Sequence, residues 1–223
     1  MPSVPKRPWV TKMTQPAAPL GKRLFVLKRL GSILAVLPLG VWTIFHLWEN
    51  LAVFAGPAAW QSAVTDHGHP VSTAAVWIIV FVPLLWHTVW GIGRLFTSRP
   101  NTLHYGYLAN LRYLLQRLAA VGLLAFLIAH VWLAMLQPRL LEGRPEPFAE
   151  IAREVRFHTP TLLVYVLGIL ATAYHLANGL ATFAMGFGIA LRRRSLKRLE
   201  NAAIGLFVLL LGLGWAAIYG LWK

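Results

Sequence analysis

The sequence predicts an all-α integral membrane protein, a bundle of five transmembrane helices, and three observations carry that prediction. Of its 223 residues 57% are apolar and only 13% are charged, with a mean hydropathy of +0.60. A soluble domain carries about 25% charged residues. Five stretches are each long and apolar enough to cross a hydrocarbon core of about 30 Å as helices. Finally, the basic residues gather in clusters between these stretches instead of covering a solvated face.

The elements follow in chain order. Residues 1–21 are Pro-rich and polar and lack the apolar core of a secretory signal; they read as a mobile cytoplasmic tail, and residues 22–223 as the membrane domain. The spans are expected at Leu30–Ala55, Thr73–Leu95, Tyr113–Leu136, Pro160–Gly188 and Asn201–Trp222. Gly56-Pro57 and Gln137-Pro138 read as stop signals for the first and third spans. Ser72-Thr73 and Thr159-Pro160 read as N-terminal signals for the second and fourth. Pro38 and Pro83 lie inside spans, where neighbouring groups must satisfy the carbonyls they free. The fifth span holds no histidine and no charge and reads as a packing helix.

Orientation follows from the basic residues. Lys6, Arg7, Lys12, Lys22, Arg23, Lys28 and Arg29 precede the first span. Arg94, Arg99, Arg112 and Arg117 flank the second loop, and Arg192, Arg193, Arg194, Lys197 and Arg198 follow the fourth span. Together they are 16 of the 21 Lys and Arg, and the positive-inside rule makes that side cytoplasmic. The N-terminus is then on the cytoplasmic side of the membrane and the C-terminus on the opposite side. The net charge of +14 does not imply nucleic acid, because apolar spans separate the clusters and no continuous basic face can form. With no cysteine in the sequence, disulfides, iron–sulfur clusters and thioether-linked haem are excluded within this chain.

Four of the eight histidines lie inside spans, one on each of the first four: His46, His87, His130 and His175. His67, His69, His104 and His158 fall in loops, and the pair His67/His69 reads as polar surface. Ionisable side chains in a bilayer are costly and face the bundle interior. A single such histidine reads as packing, but four on four helices do not. At the helical rise, His46 lies about 15 Å and His130 about 12 Å from the outer helix ends, against about 21 Å for His87 and 23 Å for His175. An outer pair, His46 with His130, and an inner pair, His87 with His175, result. Each pair can give both axial ligands to a haem iron, which closes the iron to dioxygen and favours electron transfer.

Gly40, Gly91, Gly93, Gly122, Gly168 and Gly179 either leave room for a flat ligand or serve close helix packing. Ser32, Gln116 and Arg117, near the inner helix ends, suit haem propionates; Arg117 alternatively anchors to lipid phosphate. Asn50 and Asn178 share helix faces with His46 and His175. They either orient a ligand or bond across helices.

The blocks Lys28-Arg29-Leu30-Gly31-Ser32 before His46, Pro83-Leu84-Leu85-Trp86-His87 running to Gly91, Leu115-Gln116-Arg117 before His130-Val131-Trp132, and His175-Leu176-Ala177-Asn178-Gly179 resemble the cytochrome b558-type, di-haem membrane anchor of succinate dehydrogenase and fumarate reductase. The resemblance runs from about Lys22 to the end. It implies two haems b, the outer on His46 and His130 and the inner on His87 and His175. It further implies a flavoprotein and an iron–sulfur protein docked on the cytoplasmic face, and electron delivery to a quinone, usually menaquinone. The basic cytoplasmic loops suit both that docking and lipid contact.

The resemblance also places the quinone near the outer haem with a carboxylate for proton transfer. Glu49 and Asp66 are the candidates, against a snorkelling helix-end charge and a solvated loop residue respectively. Some members carry an acid two residues before the fourth histidine; Ala173 stands there, so that role is not carried over. Two other readings compete: the haem b anchor of another respiratory dehydrogenase, and a transporter or proton channel with a histidine relay. The relay would need further polar groups in the spans, and no inverted repeat or pair of broken helices is visible.

Overall fold

The computed structural model describes residues 27, 29–66, 74–97, 99 and 101–223, and among them there is no strand. Five helices have the length and hydropathy of membrane spans: α1 (Arg29–Ala55), α3 (Ala74–Phe96), α4 (Leu108–Leu141), α6 (Thr159–Gly186) and α7 (Arg193–Trp222). Between α1 and α3 lies a short helix α2, Pro57–Trp60 continued by a widened turn over Gln61–Thr65. Between α4 and α6 lies α5 (Phe148–Phe157). The end of the bundle carrying α2 and α5 is named the outer end, after the orientation expected from the basic residues, and the arginine-rich end the inner one. The expected tail at 1–21, the histidines His67 and His69 and the Ser72-Thr73 start signal lie outside the described residues.

Three prolines inside spans share one local solution. Pro38 sits within a π-helical stretch, Ala35–Gly40. Pro83 and Pro138 each follow another, Trp77–Phe81 and Trp132–Leu136. In these turns an N–H reaches back five residues, as Val82 does to Trp77 and Gln137 to Trp132. The wider turn moves the carbonyl that a proline ring would strike and shifts the ladder past the missing N–H. That corrects the stop expected at Gln137-Pro138: α4 runs on to Leu141. It ends instead at Gly143, whose φ of 68° is a conformation glycine adopts without a Cβ penalty. There the Glu142 and Arg144 N–H groups both donate to the Pro138 carbonyl.

The outer loop expected before the fourth span is also partly helical. Phe148, Ile151, Ala152 and Val155 follow the spacing of one helix face, and Ile151 and Val155 are buried. They join Val53, Trp60, Leu210, Ile218 and Leu221 in one core cluster. In this way α5 lies across the outer ends of α1, α2 and α7.

At the centre, α6 packs on both α4 and α7. All its buried residues but Ile169 are small: Gly168, Ala173, Ala177, Ala181 and Ala184. Lipid tails are as apolar as leucine, so helices in a bilayer associate through close packing, which small residues permit. Large apolar side chains such as Phe45, Val89, Leu118, Leu167 and Val208 are exposed on the lateral surface. That is the distribution expected where lipid, not water, is the solvent.

Candidate cofactor-binding site

A cavity of about 1260 Å³ runs between α1, α3, α4 and α6, and His46, His87, His130 and His175 all line it. That exceeds the roughly 300–1,000 Å³ typical of a site for one drug-sized ligand. The structure brings the histidines together in two pairs. The ring centres of His46 and His130 lie 6.1 Å apart with planes at 59°, and those of His87 and His175 lie 6.1 Å apart at 65°. A ring nitrogen stands about 1.1 Å from the imidazole centre, and metal–imidazole bonds are about 2.0–2.1 Å long. Two imidazoles facing each other across one metal therefore have centres about 6.3 Å apart. Each pair has that span. Among the described residues no group of three or more His, Cys, Asp or Glu could hold a metal, so the donor set suits a metal whose other positions a macrocycle fills.

The contacts behind the rings favour ligation through the opposite nitrogen. His87 Nδ1 lies 3.3 Å from the Gly31 carbonyl, and His130 Nδ1 3.3 Å from the Tyr165 hydroxyl. A proton held on Nδ1 by these acceptors leaves Nε2 bare for a metal. Gln116 Nε2 donates to the His175 carbonyl (3.1 Å) and lies 3.2 Å from His175 Nδ1. Asn178 Nδ2 in turn donates to Gln116 Oε1 at 2.8 Å. Trp42 stacks on His46 and Phe126 on His130. Asn50 bonds to the His46 carbonyl and accepts from Trp60 Nε1, so it ties α1 to α2.

At the inner end the cavity is lined by Arg29, Ser32, Arg94, Gln116 and Arg117. The Arg117 guanidinium lies over the Tyr113 ring and donates to the Tyr113 carbonyl, while its buried Nε has no hydrogen-bond partner among the described residues. An orphaned guanidinium N–H beside a cavity is where an acidic ligand group would bind. At the outer end the lining includes Asp66, Arg139, Arg144, Glu146 and Tyr165. Asp66 thus borders the cavity. Glu49 is exposed and does not line it. Of the glycines, Gly40, Gly91 and Gly179 border the cavity; Gly168 serves packing, since a Cβ there would overlap the Phe126 ring.

Comparison with known proteins decides which family built this site. Residues 98–215 match the family described as succinate dehydrogenase/fumarate reductase transmembrane subunit. The chain is also 33% identical over 201 residues to the succinate dehydrogenase cytochrome b558 subunit of Bacillus subtilis (strain 168), covering 89% of this chain and 98% of that protein. The chain belongs to the succinate dehydrogenase/fumarate reductase transmembrane-subunit family. No solved structure matched it.

This membrane-anchor subunit carries functional candidates that the sequence reading passed over. Arg94 entered it only as an orientation charge, and Arg29 as that and as part of a family block, yet both line the inner cavity. Tyr165, behind His130, and Glu146, at the outer mouth, have no motif around them. Their signal is positional: each faces a histidine or the cavity only once α4, α5 and α6 are packed.

Proposed function

We propose that this subunit is the cytochrome b anchor of a succinate:quinone oxidoreductase in the bacterial cytoplasmic membrane. It carries electrons from a flavoprotein and iron–sulfur pair on its inner face, through two haems b, to a quinone of the menaquinone class. One observation carries the reading: two histidine pairs, each with the span of a bis-imidazole iron, line a single cavity across the bundle. Haem b, when bound, would supply a one-electron carrier.

The protein's own groups do the rest. His46 and His130 would hold the outer iron, and His87 and His175 the inner. Gly31, Tyr165 and Gln116 fix the imidazoles from behind. Ser32 and Arg117, with Arg29 and Arg94, receive propionates at the inner end, and Gln116 serves His175. The apolar walls keep water away, which disfavours charge on either carrier and so tunes its potential. Asp66, at the outer mouth, belongs to the quinone site. Family membership favours this reading over an anchor for another dehydrogenase and over a histidine relay.

The test is a reduced-minus-oxidised spectrum of the purified complex with haem counted per chain. Two low-spin b haems are expected. His46→Ala or His130→Ala removes or alters one, and His87→Ala or His175→Ala the other. A complex without haem, or variants that cross these pairs, overturns the assignment.

A further inference from the structure

The outer mouth of the cavity holds a carboxyl group that neither a motif nor the helix pattern marks. Glu146 lies in the segment between α4 and α5, half-buried, and borders the cavity together with Asp66, Arg139, Arg144 and Tyr165. Its backbone is clamped. Gln61 Nε2 donates to the Glu146 carbonyl at 3.1 Å, while Gln61 Oε1 accepts from the Phe148 N–H at 2.8 Å. Two bonds from one amide of α2 thus hold residues 146–148 against the rim, so the side chain has a fixed root.

The charged groups around it are committed elsewhere. Arg144, on the same segment, pairs with Glu142 at 2.5 Å and with Glu150 of α5 at 2.7 Å. Arg139 of α4 donates to the Thr65 and Met135 carbonyls at 3.1 and 3.3 Å. Glu154 of α5 bonds to Thr161 and His158. Among the described residues, therefore, no cation forms an ion pair with Glu146. From α6, Tyr165 faces the same space and reaches His130 Nδ1 at 3.3 Å.

We propose that Glu146 is the residue that exchanges protons with quinone bound at the outer mouth of the cavity. This rests on the quinone reading above and names its proton donor. Burial, with Glu150 and Glu142 close by, pushes the Glu146 carboxyl up to about 7 against the pull of Arg144. An acid poised near working pH can both give and recover a proton within a turnover. Reduction of a quinone to a quinol takes two electrons and two protons. The electrons come from succinate, oxidised in the partner subunits and relayed through the haems. For each proton, the carboxyl O–H of Glu146 breaks as the O–H on the quinone oxygen forms. The carboxylate then recovers its proton from outer water, and Asp66, exposed beside it, faces the same route.

The whole complex, with its dehydrogenase partners, is assayed for succinate-driven reduction of a short-chain naphthoquinone across pH 5.5–8.5. Rates are normalised to haem content and to succinate-driven reduction of phenazine methosulfate. Because the acid form donates, the wild-type rate should fall as pH rises through about 7. Glu146→Gln should lower kcat by about 10²-fold or more and lose that inflection, and Glu146→Asp should restore part of both. A Glu146→Gln complex with the wild-type kcat and pH profile overturns the assignment to Glu146 alone. A wild-type complex that holds its haems and reduces the dye but no quinone overturns the quinone reading itself.

Discussion

Gln116 shows how one amide can decide the state of a proposed haem ligand. It sits one turn from the inner end of the cavity, between α4 and α6, with its amide within bonding distance of the His175 ring, the His175 carbonyl and Asn178. An imidazole in a wide cavity turns freely about its last bond unless something behind it objects, and the Gln116–Asn178 pair is that obstacle. Gln116→Leu keeps the volume and removes every polar contact, leaving Asn178 Nδ2 without its acceptor. Loss of a partner behind a metal-bound histidine weakens the hold on the metal about 10–100-fold. The expected outcome is a complex in which the inner haem passes to excess apomyoglobin that much more readily and its low-spin spectrum shifts, while the outer haem is unchanged. Equal behaviour of both haems would remove Gln116 from the His175 site. From sequence the four histidines were legible, because an ionisable group in an apolar span needs a reason. Gln116 was legible only as a polar residue near a helix end. What it touches depends on the rotation of α4 against α6, which no local pattern fixes.

At the scale of elements, the outer histidine pair depends on how closely α4 approaches α6. Phe126 of α4 packs over Gly168 of α6 and stacks on His130, with ring centres 5.2 Å apart. Any side chain at Gly168 has to displace that ring, and the ring is what sets the face of His130. Overpacking by one methyl costs about 1–3 kcal/mol, and a leucine displaces far more. Gly168→Leu should therefore lose or broaden the outer haem's absorbance in the purified complex and spare the inner one. Gly205→Ala, where an added Cβ meets nothing within 4 Å, should leave both as they are. Retention of both haems in Gly168→Leu would show that the helices adjust without His130. The five spans could be read from hydropathy alone, but their ends and interruptions could not. Pro138 follows every rule for a stop, and α4 continues because a widened turn precedes it. The α5 face of Phe148, Ile151, Ala152 and Val155 carries a helical period that was not recognised in the expected outer loop, because charged residues alternate around it.

Over the whole molecule, charge runs one way and the chemistry runs along it. The arginine-rich ends of α3, α4 and α7 lie at the end where Arg29, Arg94 and Arg117 border the cavity, and the carboxylates Asp66 and Glu146 border the other end. A positive inner face suits both the lipid headgroups of the cytoplasmic leaflet and the docking of a soluble dehydrogenase. With quinone bound at the outer mouth as proposed, Asp66 and Glu146, which stand there beside Arg139 and Arg144, would give it access to protons from the opposite side. Sequence patterning reached the clustering of basic residues at one end because those clusters lie between spans and need no packing to be placed. It did not reach Glu146, which becomes a rim residue only when Gln61 of α2 pins its backbone. The orientation has its own test, simplified by the absence of cysteine from the chain. Ala149→Cys on α5 and Asn101→Cys between α3 and α4 each place one exposed thiol at opposite ends of the bundle. In intact cells stripped of their outer layers, a membrane-impermeant maleimide should label Ala149→Cys at once and Asn101→Cys only after the membrane is opened. The reverse order would put the arginine clusters outside. It would also place Glu146 on the cytoplasmic side, so that the protons taken up with each quinol would come from the same compartment as the succinate.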